Sequence, residues 1–211
     1  MKTLSTVILI ATHLDQVISL FNYDNGVKTI GEFVKRTEAL AKEKYFNLPE
    51  DEDDNNPAFK LKGDLLEILG DIFFNIYSAD PAVGLIDYQS IPIDEDYGVD
   101  GIGTNVNGDK VAVQMKYKAN PLTKIEYKEI ARTYMAGRLV HNLPLENNDT
   151  IFVFTTGNET TASLQKVAAN KLRVIDRKII AGYVDNNQNF WLQAEELIMD
   201  TLDTLNKNES H

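Results

Sequence analysis

Residues 96–118, DYGVDGIGTNVNGDKVAVQMKYK, constrain what this chain can fold into more than any other stretch. Asn107-Gly108 sits between two runs in which apolar residues recur at every second position. Asn-Gly is the dipeptide that most readily adopts the left-handed backbone of a tight hairpin turn, so two antiparallel strands are predicted here. Alternation then fixes the faces of the second strand. Val111, Val113, Met115 and Tyr117 fall on one face, and Ala112, Gln114, Lys116 and Lys118 on the other. Asp100 stands on the first strand in a Gly-Val-Asp-Gly context. Strand pairing can bring it beside Gln114 and Lys116, in a register that the sequence leaves open.

Other elements follow from periodicity and turn chemistry. Residues 1–50 read as a helical region, a hairpin of two amphipathic segments broken at NYDNGVK, with VILIA (7–11) as a buried helix face. The acidic, Pro- and Asn-rich stretch 47–60 reads as a solvated loop and a seam. In 59–77, Leu65, Ile68, Leu69, Ile72, Phe73 and Ile76 share one helical stripe, while Asp64, Glu67, Asp71 and Asn75 share another. A strand is expected over 83–93, and a helix opened by a Thr123–Glu126 capping box runs to about Val140. DTIFVFTT (149–156) is a buried strand, a helix follows from Thr160 or Thr161 to Leu172, and RVIDRKII is a strand or strand–helix transition. Residues 190–205 form an amphipathic helix. The order α-β-β-β-α-β-α predicts an α/β core over 57–182, a mixed sheet flanked by helices, with the helix in 183–211 packing on it.

Composition narrows the function classes. No cysteine is present, which excludes disulfides and thiolate metal sites and fits a reducing cytoplasm. VILIA is far shorter than the roughly 18–20 apolar residues of a membrane span, so no membrane association is expected. The net charge of −11 argues against a polyanionic partner, but the charge is uneven. Residues 106–178 hold 12 Lys and Arg against 7 Asp and Glu, leaving 9 against 25 elsewhere. One basic surface on an acidic protein is compatible with that pattern.

The hairpin residues suggest chemistry. A carboxylate (Asp100), an amide oxygen (Gln114) and a neighbouring backbone carbonyl (Met115) are hard oxygen donors, suited to Mg²⁺, with Mn²⁺ able to substitute. Such an ion would polarise a phosphodiester, and Lys116 could orient water or stabilise charge on the phosphoryl oxygens. Glu67, on the helix leading into the core, is the expected second carboxylate, with Asp64 or Asp71 as substitutes. Lys118, Lys124, Lys128, Arg132 and Arg138 follow the hairpin and could hold phosphates. The competing reading makes them a solvated helix face.

GVDG followed by VAVQMKYK resembles the PD-(D/E)xK nuclease superfamily, and in particular its Mrr-like restriction endonuclease branch, where Gln replaces the acid of the final triplet. The resemblance covers about residues 60–180, including IFVFTTGNETTASLQKVA as a strand, Thr-rich turn and helix. It implies a restriction-endonuclease-like fold and Mg²⁺-dependent hydrolysis of DNA. Asp100, Gln114 and Lys116 would form the catalytic core, and Glu67 would assist metal binding. Val99 stands where a Pro usually precedes the Asp, and residues 1–50 match nothing in the family. Cutting both strands favours a homodimer, and the fold could stand alone or serve a larger system with helicase or specificity subunits. The alternative is a catalytically inactive module of the same fold that binds DNA or protein.

Other features read as structural. Asp94, Glu95 and Asp96 fit a solvated loop, and His13 and His141 appear singly, without partners for catalysis. Trp191, Tyr23, Phe33 and Phe46 are expected in the core. TTGNETT lacks the Gly-x-x-x-x-Gly-Lys pattern of a nucleoside triphosphate loop.

Overall fold

In the computed structural model, which describes residues 3–46, 56–92, 95 and 97–209, the hairpin forms where Asn107-Gly108 predicts it. Strands β2 (Gly101–Asn105) and β3 (Lys110–Lys116) pair antiparallel. Gly108 takes a φ of +86°, the left-handed backbone for which glycine is favoured. Asn105 Oδ1 accepts the N–H groups of Asn107 and Asp109 at 2.9 Å each, so the turn satisfies its own donors. Strand β1 (Leu85–Ser90) adds antiparallel to β2, with a bulge between Ile86 and Gln89 where Asp87 adopts φ +53°.

Two crossovers build the parallel half. Strand β5 (Ile151–Thr155) lies parallel to β3, and β7 (Leu172–Ile175) parallel to β5, giving the order β1-β2-β3-β5-β7. This is an open, mixed five-stranded sheet in an α/β protein with eight α-helices among the described residues. The first crossover carries α5 (Tyr127–Leu139), and the second carries α6 (Ala162–Ala168) and a 3₁₀ turn. Every residue of β5 is buried, which explains its unbroken apolar sequence. On one sheet face Ala112 and Val153 pack with Ile130 and Ala136 of α5 and Leu164 of α6. On the other, Phe154 meets Phe73 and Phe74 at centroid distances of 5.3 and 5.4 Å, and Phe74 meets Tyr88 at 5.2 Å.

Some boundaries differ from expectation. The capping box of α5 is Glu126–Glu129, not Thr123–Glu126. Lys124–Ile125 instead forms a short strand, β4, parallel to β6 (Glu159–Thr160), and extended backbone there postpones the helix. Thr161 caps α6, accepting the Leu164 N–H at 3.3 Å. RVIDRKII is a strand-to-helix transition, β7 into α7 (Arg177–Val184).

The chain divides into two compact units, Met1–Ile72 with Ile180–His211, and Phe73–Ile179. The sheet belongs to the second. The first is helical, with α1 (Val7–Thr12), α2 (Leu14–Phe21), α3 (Ile30–Lys44), most of α4 (Pro57–Ile76) and α8 (Gln188–Glu209). The predicted turn at NYDNGVK separates α2 from α3, but His13 breaks the first arm into α1 and α2. Helix α8 joins the N-terminal helices: Leu4 N donates to Thr201 Oγ1 at 2.9 Å, and Trp191 Nε1 donates to the carbonyl of Lys28 at 2.9 Å.

The acidic stripe of α4 is not a solvated face. Asp64 and Asp71 are both buried. Asp71 Oδ2 accepts from Thr6 N at 2.9 Å and from the Ser5 and Thr6 hydroxyls at 3.0 Å each, tying the start of α1 to α4. Asp64 meets His13 Nε2 at 2.7 Å and Lys60 Nζ at 3.0 Å, so the apparently isolated His13 is a buried partner of a carboxylate. Phe33 and Trp191 are in the core as expected, Tyr23 is half-buried, and Phe46 is exposed. VILIA buries Leu9 and Ile10 but exposes Ile8. Most of the 47–60 loop, and Asp94 and Asp96, lie outside the described residues.

Candidate active site

The register left open by the sequence is fixed by pairing. Gly101 pairs with Val113 and Ile102 with Ala112, and Asp100 N donates to Val113 O at 3.0 Å. Because Val113 already pairs with Gly101, that hydrogen bond breaks the regular ladder at Asp100 and leaves it beside Gln114. Their side chains are joined: Gln114 Nε2 donates to Asp100 Oδ2, which also accepts the backbone N–H of Met115. Asp100 is 9% exposed and Gln114 3%.

The polar face of β3 is covered by α5. Thr133, fully buried on the inward stripe of α5 between Ile130 and Ala136, donates its hydroxyl to Gln114 Oε1 at 2.6 Å. The Gln114 amide is thereby held at both ends, with its nitrogen toward the carboxylate and its oxygen toward the helix. Thr133 was not foreseen from the sequence. Its only signal is a polar residue in an otherwise apolar helical stripe.

Lys116 closes β3 on the same face as Gln114, half-buried, and among the described residues its ammonium has no hydrogen-bonding or ion-pairing partner. Its carbonyl is fixed by the Thr155 hydroxyl at 2.7 Å. Asp100, Gln114, the Met115 backbone and Lys116 are therefore brought together by one stretch of sheet. Glu67, the expected second carboxylate, is half-buried on α4, within the helical unit. Asp64 and Asp71, its suggested substitutes, are engaged in the contacts described above.

The predicted phosphate-holding cations differ in their surroundings. Lys118 Nζ is paired with Glu129 at 2.9 Å, both largely buried. Lys128 is exposed beside Glu126 at 3.1 Å, and that hydrogen bond and charge hold its ammonium above the ordinary lysine value. Arg132 is exposed and donates to the Tyr97 carbonyl at 3.2 Å, Lys124 is exposed, and Arg138 pairs with Glu146 at 2.7 Å.

The donors fit a Mg²⁺-type ion in kind: the Asp100 carboxylate and the Met115 carbonyl are hard oxygen ligands, and Gln114 Nε2 lies 3.4 Å from that carbonyl. The charge is low, since among the described residues no group of three or more His, Cys, Asp or Glu could hold a metal. An ion there would rely on water and substrate oxygens for its remaining ligands.

What fold and cluster define together is an open mixed α/β sheet carrying a buried Asp–Gln pair and a lysine at the end of a central strand. Compared with known proteins, the chain matches no family model, no curated protein and no solved structure. Among the described residues no helix is long and apolar enough to cross a membrane.

Proposed function

We propose that the sheet unit is a Mg²⁺-dependent DNA endonuclease of the restriction-endonuclease-like class, with Mn²⁺ able to replace Mg²⁺. The observation that carries this reading is the Asp100–Gln114 hydrogen bond, with Lys116 next along the same face. Asp100 and the Met115 carbonyl are the groups that would hold the ion. When bound, the ion supplies positive charge that polarises a phosphodiester and acidifies water.

The chain's own residues divide the remaining work. Thr133 orients the Gln114 amide, and Gln114 with the Met115 N–H fixes the Asp100 carboxylate. This arrangement makes Gln114 a positioning residue, since its oxygen is committed to Thr133. Lys116 carries the cation free to meet the phosphoryl oxygens as their charge grows. Exposed Arg132 and Lys128 would steer the backbone toward the strand ends. Cleavage of both strands would then call for two copies of the chain, each cutting one.

The reading is tested by nicking of supercoiled plasmid in Mg²⁺ or Mn²⁺. Lys116→Ala and Asp100→Ala are each expected to reduce the rate by about a hundredfold or more. Nicking that survives both substitutions would overturn the assignment. A wild-type protein that binds the plasmid in Mg²⁺ without nicking it would favour an inactive binding module instead. That second reading draws on Gln114 standing where a charged acid would be usual.

A further inference from the structure

A second polar site lies beyond the carboxyl ends of β5 and β7. It is a cavity of about 350 Å³ lined by Lys124, Asn158, Thr160, Gln165, Val174 and Asp176, among others. Such strand ends are where open α/β sheets commonly hold ligands. The cavity sits in line with the candidate active site. Lys116 pairs with Thr155, and the β5–β7 register, continued one residue past Phe154–Ile175, sets Asp176 opposite Thr155. Lys116, Thr155 and Asp176 thus form one row, and at about 4.8 Å per strand Asp176 lies roughly 10 Å from Lys116. The turn after β5 is held at Gly157 and Asn158: Asn158 N donates to Pro121 O at 2.9 Å, and Arg177 N donates to Gly157 O at 3.0 Å.

The lining selects a ligand type. Asp176 Oδ2 has no hydrogen-bond partner among the described residues, so it is an acceptor open to a donor. Asp176 uses Oδ1 to hold the N–H groups of Lys178 and Ile179 at 2.9 Å each, which keeps its carboxylate in place. Gln165 Nε2 is steadied by Thr160 Oγ1 at 3.0 Å. The Asp176 carboxylate repels a phosphate, and as a single carboxylate beside Lys124 it makes a poor cation site. A flat ligand with donors and acceptors along one edge, and apolar faces against Val174 and Ala162, meets every requirement. That is the description of a nucleobase, and the volume lies at the small end of ligand pockets.

We propose that this cavity takes the base of an unpaired nucleotide next to the phosphate held at Lys116, so that the protein favours single-stranded, bulged or flipped-out nucleotides over continuous duplex. The proposal rests on the nuclease reading for the position of the phosphate. A base inside a duplex presents neither its pairing edge nor its faces to such a pocket.

The test is binding, not cleavage. Full-length wild-type protein is titrated by fluorescence anisotropy, in EDTA without divalent metal, against a labelled duplex bearing one unpaired nucleotide and against the same duplex with an abasic residue there. About tenfold tighter binding of the base-containing duplex is expected, for at least one of the four bases. Asp176→Asn, which keeps an acceptor for the Lys178 and Ile179 N–H groups and turns the open acceptor into a donor, and Gln165→Leu should each erase the difference. Gln165 is exposed on α6, so its replacement leaves the fold intact. Equal affinity for both duplexes, no binding of either, or a preference untouched by both substitutions would overturn the proposal. Base-dependent binding by a protein whose wild type fails to nick would sink the nuclease reading alone, whereas metal-dependent nicking with equal affinities would sink the pocket alone.

Discussion

Replacing Thr133 by Val tests the geometry on which the site depends. Val keeps the shape of Thr and removes the hydroxyl that donates to Gln114 Oε1 at 2.6 Å. Thr133 is fully buried and Gln114 nearly so, and water does not replace the lost donor. Stranding a buried acceptor costs about 1–3 kcal/mol, so about 2 kcal/mol is expected, or a Tm lower by roughly 4–8 °C for a chain of this size. Urea unfolding followed by circular dichroism measures it. The decisive arm is the double-mutant cycle with Gln114→Met. Once the amide is gone, nothing is stranded, and Thr133→Val should cost less than about 0.5 kcal/mol, a coupling of about 1.5 kcal/mol. Equal losses in both backgrounds would refute the hydrogen bond and, with it, the assigned orientation of the Gln114 amide. Because Gln114 orients Asp100, Thr133→Val is also expected to slow plasmid nicking by about tenfold.

Two further outcomes follow from the packing. Burial pushes the Asp71 carboxyl above its ordinary value, only partly opposed by hydrogen bonds from Thr6 and Ser5. The folded state then holds the proton more tightly than the unfolded chain, so stability falls as pH rises from about 4 through the raised value and levels off above it. Asp71→Asn keeps an acceptor for the Thr6 N–H without the charge, and urea midpoints between about pH 4 and 8 should lose that decline; a wild-type curve that rises over the same range would contradict the assignment. At Gly101, an added Cβ would stand 2.3 Å from the buried Tyr88 ring. Gly101→Ala is therefore expected to cost about 2 kcal/mol in thermal unfolding, and an unchanged Tm would mean that the ring is not where it is placed.

The sequence was most legible where local chemistry decides the outcome. Asn107-Gly108 announces a hairpin because few other residues tolerate that backbone, and the apolar run in 149–156 announces a strand covered on both faces. It was least legible where a distant segment supplies the partner. Lys124 and Ile125 look like the start of a helix until Glu159 and Thr160 pair with them. Asp64 and Asp71 look like a wet helix face until Ser5, Thr6 and His13 are folded against them. At the candidate site, strand alternation placed Gln114 and Lys116 on one face, but only the fold brings the Asp100 carboxylate to the Gln114 amide, and Thr133 comes from a helix with no local mark of that contact.

The bulge in β1 carries a consequence for how this protein can associate. An outer strand normally offers a regular ladder of amides and carbonyls to any neighbour that arrives extended. In β1 that ladder is interrupted at Ile86–Gln89, with exposed Asp87 in left-handed backbone at the break. Strand addition there would have to straighten the kink and seat a carboxylate against the incoming chain. Crowded copies of this molecule are thus steered away from growing the sheet outward at that margin, which guards it against fibril-like self-assembly.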